Sequence, residues 1–267
     1  MAEISAALVK ELRDRTGAPM MDCKRALQEA NGDMDAAVRV LREKGMAGAA
    51  KRADRSTPEG KVGYRIAEDG KRGTMVAIGC ETEPVSNNDE FLAFAKKVLE
   101  IVEADGPGAE AGLDEERTQL AGKLGENIVV AGRARFEAVD GSLISAYAHP
   151  PRNKIGVMLQ LRGGSDDLAR KVAMHIAAMR PEWIGRDDVP EEDVERERQI
   201  FLATDEVQSK PEQAREKIVE GMLNKRFFGA NVLSDQDWIH DSSKKVGQAL
   251  ADEGAEVLEF ERFELSQ

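Results

Sequence analysis

The chain has 267 residues, a length that fits about one to three domains. It carries 38 Lys and Arg residues against 50 Asp and Glu residues, a formal charge of −12, which argues against a broad basic surface for nucleic acid or anionic membranes. Its two cysteines are too few for a disulfide framework and indicate a reducing compartment. No apolar run approaches the roughly 20 residues of a spanning helix, and no Gly-x-x-x-x-Gly-Lys-Ser/Thr loop is present. The sequence therefore predicts neither a membrane span nor a nucleotide-binding loop.

Residues suited to covalent or metal chemistry are few. The three histidines, His149, His175 and His240, lack metal-binding spacing, and Cys23 lies far from Cys80 in the sequence. We therefore expect no metal site and no cofactor. Cys80 could pair with His149 or His175 as a nucleophile, although a cysteine at the end of an apolar strand is more often a small buried hydrophobe. A small-molecule enzyme that depends on Cys80 stays open as an alternative.

Residues 1–45 predict three short helices. Apolar residues recur at helical spacing in three groups: Ile4, Leu8 and Leu12; Cys23, Ala26, Leu27 and Ala30; Met34, Ala37, Val38 and Leu41. Helices of about ten residues are not stable alone, so we expect them to pack together into a module that presents a surface to a partner. The third helix is expected to stop near Gly45. Residues 46–59, which are mostly small or charged, then form a linker that is helical at most at its start.

An internal repeat follows the linker. Each copy predicts a strand, a turn, a second strand and a helix, and the pattern indicates two related α+β subdomains at 60–140 and 141–267. The predicted elements are Gly60–Ile66, Gly73–Cys80 and Glu90–Glu103 in the first copy, and Gly141–Tyr147, Ile155–Leu161 and Asp166–Met179 in the second. Between the copies, Leu113 to Val130 is expected to be helical.

The repeat register draws attention to two places. His175 falls opposite Ile101 of the first copy, on an apolar helix face, where a histidine is more often a satisfied core residue than a ligand. The loop Glu81–Asp89 is longer than its counterpart Gly163–Ser165. Binding residues favour loops that rigid elements hold in place, so this loop is a candidate site. The alternative interpretation is a Pro-containing turn with Asn or Asp capping of the next helix.

The remainder of the second half predicts a helical arm and a returning strand. Residues 187–228 predict two helices, Glu191–Ala203 and Pro211–Phe227, whose narrow apolar stripes favour a hairpin that projects from the body. The chain then predicts a helix at Lys244–Glu253 and a strand at Val257–Leu265. The strand is expected to return to a sheet of the body because Phe260 and Phe263 need cover.

Several segments together resemble bacterial elongation factor Ts. Leu12–Leu27 is similar to the first signature of that family, and Asn31–Asp33 follows at the family spacing. Further matches occur in order at Lys123–Asn127, Met174–Ala178 and Lys244–Gln248. The resemblance implies an α+β fold with an N-terminal three-helix module like those that bind ubiquitin. It also implies a core of two related α+β subdomains with a projecting helical hairpin.

The resemblance also implies an activity without covalent chemistry. Members of the family are cytoplasmic translation factors that bind GDP-bound elongation factor Tu, loosen its Mg²⁺ and phosphate contacts, and promote exchange of GDP for GTP. Neither direct nucleic-acid contact nor membrane contact is implied, and a homodimer or a two-plus-two complex with the partner stays open. The implied partner-binding residues are Leu12, Arg13, Thr16, Gly17, Met20, Met21, Lys24, Met174 and His175. Within that set, His175 matches a family histidine that approaches the phosphate loop of the partner.

The chain departs from the family pattern at one place. The loop that usually reads Thr-Asp-Phe-Val, and whose aromatic residue helps to dislodge Mg²⁺, reads Thr82-Glu83-Pro84-Val85 here. Pro84 has no aromatic ring, but its fixed φ makes it a rigid apolar knob, and Glu83 keeps the negative charge. Two hypotheses follow. The chain either exchanges nucleotide, with Pro84 partly replacing the wedge or with other contacts taking over, or it is a non-exchanging binding scaffold of the same fold.

Overall fold

The structure, a computed structural model, describes residues 4–266 and begins with three helices. They are α1 (Ala6–Thr16), α2 (Met20–Glu29) and α3 (Met34–Arg52). Ser5 caps α1 by accepting a hydrogen bond from the Leu8 amide at 3.2 Å. Gly17 ends the helix in the left-handed conformation (φ 66°), and its amide donates to the Arg13 carbonyl at 2.6 Å.

The N-terminal module, as we call α1, α2 and the first half of α3, has a small core of its own. Its fully or nearly buried members are Val9, Leu12, Cys23, Ala26, Leu27 and Ala37. All of them except Val9 lie on the apolar stripes that the sequence predicted, and the three-helix arrangement is confirmed.

The first copy of the repeat forms a three-stranded antiparallel sheet. Its elements are β1 (Glu59–Ile66), β2 (Arg72–Cys80), α4 (Glu83–Ser86), α5 (Asp89–Asp105), a 3₁₀ turn (Ala109–Leu113), α6 (Asp114–Leu124) and β3 (Ile128–Glu137). The strand order is β1-β2-β3, so β2 is central. The prediction of helix from Leu113 to Val130 is wrong at its end, because Val129 and Val130 lie on β3 opposite Gly79 and Ile78.

The second copy repeats this topology with a long insertion before its last strand. Its elements are β4 (Ser142–Ala148), β5 (Ile155–Arg162), α7 (Asp166–Met179), a 3₁₀ turn (Arg186–Asp188), α8 (Glu191–Leu202), α9 (Asp205–Gln208), α10 (Glu212–Met222), a π-helical turn (Leu223–Phe228), α11 (Gly229–Asn231), a 3₁₀ turn (Leu233–Asp235), α12 (Val246–Asp252) and β6 (Glu256–Glu264). The order β4-β5-β6 again places the second strand at the centre. The returning terminal strand is therefore confirmed.

The two sheets pack face to face between two helical layers. The shared core contains Val62, Met75, Ala77, Ala134, Ile144, Met158 and Leu265. Helices α5 and α6 cover the outer face of the first sheet, and α7 and α12 cover that of the second. The sheets approach closely at Gly156, where a Cβ atom would lie 2.3 Å from Cγ1 of Val62.

The prediction that the third helix ends near Gly45 is wrong, because α3 continues to Arg52. The first residues of the proposed linker 46–59 therefore belong to the helix. The helix continues to Arg52 because its second half packs on α6. A Cβ atom on Gly122 would lie only 2.8 Å from Cα of Gly45, so the two glycines let the helix axes approach. Arg52 Nη2 also donates to the Ala121 carbonyl at 3.2 Å. Gly45 and Gly122 therefore allow close contact between α3 and α6, and Gly45 does not end the helix.

The segment 187–228 contains the two predicted helices and a core of its own. The short helix α9 joins them, and the second one continues into the π-helical turn. Its buried residues are Val189, Val207, Val219, Met222, Leu223, Phe227, Phe228 and the following Val232. At its base, the Arg186 guanidinium lies 4.5 Å from the ring centroid of Phe228 and pairs with Asp235 at 2.5 Å.

Candidate partner-binding site

The segment Thr82–Ser86, called the tip below, forms a single helical turn at the end of β2. Thr82 is the N-cap residue in an extended conformation, and Pro84 lies in the first turn, where its missing N–H costs nothing. Thr82, Glu83 and Pro84 are exposed, whereas Val85 is half-buried and Ser86 is buried. The tip therefore exposes one carboxylate and one rigid apolar ring to solvent, while its last residue, Ser86, is buried.

Hydrogen bonds fix the start of the tip to Glu126 and close the turn within it. The Glu126 carboxylate accepts from the amides of Glu81 and Thr82, each at 3.0 Å, and from Thr82 Oγ1 at 2.6 Å. At the other end, Ser86 Oγ donates to the Glu83 carbonyl at 2.8 Å. Asn88 then caps α5 by accepting from two amides of its first turn, which confirms the predicted capping role of this loop.

The turn between β4 and β5 lies beside the tip. Arg152 Nη2 is 3.3 Å from the Glu83 carboxylate, and the Arg152 carbonyl accepts from Lys61 Nζ at 3.2 Å. On the same turn, exposed His149 shares a hydrogen bond of 2.8 Å with Tyr147. Arg152 was not predicted from the sequence as a neighbour of the tip. The only signal was a polar turn between two predicted strands.

The predicted contact residues of the N-terminal module divide into exposed and buried groups. Those exposed to solvent are Arg13, Gly17, Met20, Met21 and Lys24. Met20 and Met21, which are neighbours at the start of α2, are 49% and 63% exposed and together form a small apolar surface. Thr16 is half-buried and donates from Oγ1 to the Leu12 carbonyl at 2.7 Å. Leu12 itself is 0% exposed and supports the module from inside in the free chain, so its expected contact with a partner stays a prediction.

His175 is also a core residue and not a surface one. Its side chain is 0% exposed, and its Nε2 lies 2.9 Å from Oε1 of Gln236. Because that oxygen only accepts, Nε2 is assigned the proton, and Nδ1 then accepts from the Ile239 amide at 3.4 Å. Burial lowers the pKa of His175 and keeps it neutral. In the free chain His175 is therefore a satisfied core residue, and its expected approach to a phosphate loop stays a prediction. Met174, next to it on α7, is half-buried.

Cys80 has none of the features of a nucleophile. It is 0% exposed at the end of β2, and its Sγ donates to the Thr82 carbonyl at 3.3 Å. Burial, together with the charge of Glu126, raises the pKa of the Cys80 thiol to about 12. The reactive thiolate is therefore scarce at neutral pH, and the geometry gives the Cys80-dependent enzyme no support.

Residues 4–266 contain neither a metal-binding cluster nor a membrane-spanning helix. No group of three or more His, Cys, Asp or Glu side chains in this range is arranged to hold a metal ion. None of the helices in the same range is both long enough and apolar enough to cross a membrane.

Comparison with known proteins decides the family. The sequence model described as elongation factor TS matches residues 81–267, a span that begins next to the tip. The elongation factor Ts of Sodalis glossinidius is 42% identical over 271 residues, covering 100% of this chain and 93% of that protein. The chain belongs to the elongation factor Ts family. Elongation factor Ts of Teredinibacter turnerae is 43% identical over 270 residues, covering 99% of this chain and 91% of that one. The family is one of translation elongation factors, and the α+β fold expected from the resemblance is confirmed.

Proposed function

We propose that this chain binds GDP-bound elongation factor Tu and accelerates the exchange of GDP for GTP. Membership of the elongation factor Ts family supports the identity of the partner. The observation that carries the proposal is the tip: it is exposed at Glu83 and Pro84, yet its start is fixed by hydrogen bonds to Glu126 and its turn is closed by the Ser86 hydroxyl on the Glu83 carbonyl. A rigid projection can displace groups on a partner without losing its own shape.

The physical basis of exchange is linkage between two binding events. A factor that binds the nucleotide-free partner more tightly than the GDP-bound partner must lower the affinity for GDP by the same factor. Mg²⁺ demands near-ideal octahedral oxygen coordination at short distances. A small displacement of its surroundings therefore costs much of its affinity, and the phosphate contacts weaken with it. No group on this chain needs to form a covalent bond.

Two surfaces divide the work in this proposal. The tip acts near the Mg²⁺ site through the Pro84 ring and the Glu83 carboxylate, which Arg152 holds at 3.3 Å. The N-terminal module supplies a second contact through exposed Met20 and Met21, whose flexible side chains adapt to an apolar groove. Both contacts are between proteins in the cytoplasm, and they require neither nucleic acid nor a cofactor on this chain.

The direct test is release of labelled GDP from the cognate elongation factor Tu. The full chain at micromolar concentration is expected to accelerate release in the presence of Mg²⁺, and the effect should shrink when Mg²⁺ is removed with a chelator. The absence of any acceleration would refute the proposal. Melting curves of the same preparation show that the added protein is folded.

Pro84 keeps the non-exchanging scaffold as a second candidate. Its exposed ring is smaller than the aromatic residue of the usual family loop, so the tip displaces less volume on the partner. The scaffold predicts tight binding of elongation factor Tu with unchanged GDP release, and it predicts that Pro84→Phe restores exchange. The exchange factor instead predicts acceleration by the natural chain, with a smaller effect in Pro84→Gly.

A further inference from the structure

The segment Lys123–Asn127 lies between both candidate contact surfaces, and the proposed function uses only the contacts of its Glu126 with the tip. It contains the end of α6 and the turn that leads into β3, beside the tip and beside the end of α3. We infer that Glu126 and Asn127 are positioning residues for nucleotide exchange, which hold the tip and the end of α3 in a fixed relative placement. The inference rests on the proposed function for its kinetic consequence, but its structural content can be tested separately.

Glu126 holds the tip. Its two carboxylate oxygens receive three donors: Oε2 accepts from the amides of Glu81 and Thr82, and Oε1 accepts from Thr82 Oγ1. Hydrogen bonds to an ionised acceptor are shorter and stronger than neutral ones. Because these contacts fix the N-cap residue of the tip, they set the direction in which Glu83 and Pro84 project. The Thr82 hydroxyl is engaged with Glu126 and forms no capping bond within the tip itself.

Asn127 holds the end of α3. Its side chain is 4% exposed, and its Nδ2 donates to the carbonyls of Ala53 at 3.0 Å and Arg55 at 2.9 Å. Both hydrogens of the amide group are thereby used. The Asn127 main-chain amide donates to Glu81 Oε1 at 2.7 Å, and Arg55 Nη1 lies 3.3 Å from the same carboxylate. Glu81, the residue before the tip, is therefore tied to Arg55, which lies three residues after the end of α3.

The arrangement has a consequence for binding. One partner must meet the N-terminal module and the tip at the same time, and a mobile connection between them would have to be ordered upon binding. Ordering costs affinity, whereas a preorganised arrangement avoids that cost. Asn127 therefore acts on how strongly the factor engages, because it places the module. Glu126 acts on how fast bound GDP leaves, because it aims the tip.

The second copy of the repeat supplies a matched control. Glu253 precedes β6 as Glu126 precedes β3, and its Oε2 accepts from the Ser165 amide at 3.1 Å and from Ser165 Oγ at 2.7 Å. Glu253→Ala therefore removes the same type of contact at the equivalent turn of the other copy. Neither candidate contact surface includes that turn.

Hydrogen exchange of the full chain, followed by mass spectrometry, tests the placement without a partner. Glu126→Ala is expected to speed exchange of the amides at 81–86, and Asn127→Asp, which removes both donors at constant size, is expected to do so at 50–57. Glu253→Ala should change neither segment. Unchanged protection of both segments in the first two variants would overturn the inference. The same data show whether each variant keeps its sheets folded.

GDP release from elongation factor Tu tests the kinetic roles. Glu126→Ala is expected to lower the maximal release rate about tenfold at a nearly unchanged half-saturating concentration, as for loss of charge-assisted hydrogen bonds. Glu126→Gln should recover most of it, since its amide can donate to the Thr82 hydroxyl while its oxygen accepts from the main chain. Asn127→Asp should raise the half-saturating concentration instead. Equal losses in all three alanine and aspartate variants, including Glu253→Ala, would indicate a general structural role and overturn the inference. If the natural chain itself fails to accelerate GDP release, the proposed function is wrong. The hydrogen-exchange rates of the amides at 81–86 and 50–57 then test by themselves whether Glu126 and Asn127 hold the tip and the end of α3 in place.

Discussion

Leu27→Ala tests whether the N-terminal module is a separate and weakly stable unit. Leu27 is 0% exposed at the centre of a small core whose other buried members, among the residues that the structure describes, are Val9, Leu12, Cys23, Ala26 and Ala37. Truncation of a buried leucine to alanine costs about 2–5 kcal/mol. A stability of about 0.05–0.15 kcal/mol per residue gives a module of about 45 residues only about 2–7 kcal/mol. The expected cost is therefore comparable to the whole stability of the module.

Hydrogen exchange of the full chain measures this effect by segment. In Leu27→Ala, the amides of α1 and α2 are expected to exchange at nearly unprotected rates, while the central strands β2 and β5 stay protected. The second half of α3 should also keep part of its protection because it packs on α6 through Gly45 and Gly122. Leu92→Ala on α5 is the control, since Leu92 is 40% exposed and its truncation should leave both regions unchanged.

Two results would refute this reasoning. If α1 and α2 stay protected in Leu27→Ala, the module is far more stable than its small core implies. If β2 and β5 lose protection together with α1 and α2, the module and the sheets form one cooperative unit. In the GDP-release assay, the expected outcome is a higher half-saturating concentration with a preserved maximal rate, because the tip remains in place.

Three further predictions address stability and reactivity. Burial lowers the pKa of His175 from its usual 6.5, so the folded state resists protonation and its stability should fall as the pH drops below about 6.5. In urea unfolding at pH 5 to 8, His175→Gln should lose part of that dependence, and an unchanged slope would exclude His175 as its source. Cys80, with a pKa of about 12, should react with iodoacetamide at pH 8 only after unfolding in urea; rapid labelling of the folded chain would contradict its burial. Gly156→Val places atoms 2.3 Å from Val62 Cγ1 and should cost about 1–3 kcal/mol in urea unfolding, whereas Gly63→Val, with open space around it, should cost less.

Local patterns in the sequence were enough to place most of the elements. The predicted helix Glu90–Glu103 is found as Asp89–Asp105, and the predicted Asp166–Met179 is found with the same ends. These helices begin at side-chain caps, Asn88 and Ser165, whose effect is local and therefore readable from neighbouring residues. The apolar periodicity of each helix then follows directly from the face that it buries.

The errors occur where distant segments decide the local structure. Gly45 was interpreted as a helix end, but it lies against Gly122 on α6, far away in the sequence. A glycine that ends a helix and a glycine that admits a neighbouring helix have the same local signature. The start of β3 was likewise interpreted as helix, although its strand conformation depends on pairing with β2. Neither contact is visible in a window of ten or twenty residues.

The candidate site shows the same limit in functional terms. The resemblance identified the tip, which the structure exposes, but it also selected Leu12 and His175, which the structure buries. A sequence signature contains buried residues that support the contact surface as well as exposed residues that make it up. The sequence alone does not distinguish the two kinds, because they differ in burial. Arg152 was not predicted as a neighbour of Glu83 because the two residues are far apart in the sequence. Only the packing of the β4–β5 turn brings them together.

The two copies of the repeat use one device in different ways. In each copy, a glutamate that precedes the third strand accepts from the hydroxyl and the amide at the start of a helix: Glu126 with Thr82, and Glu253 with Ser165. Ser165 also accepts from the Leu168 amide, so it caps α7 directly and the helix begins at once. In the first copy, the extra residues separate this anchored position from the start of α5, and Asn88 takes over the capping of that helix. The intervening turn does not have to cap α5, and it projects from the sheet. The same α+β unit therefore begins its helix directly at the anchored residue in one copy, and provides an exposed and firmly held tip in the other.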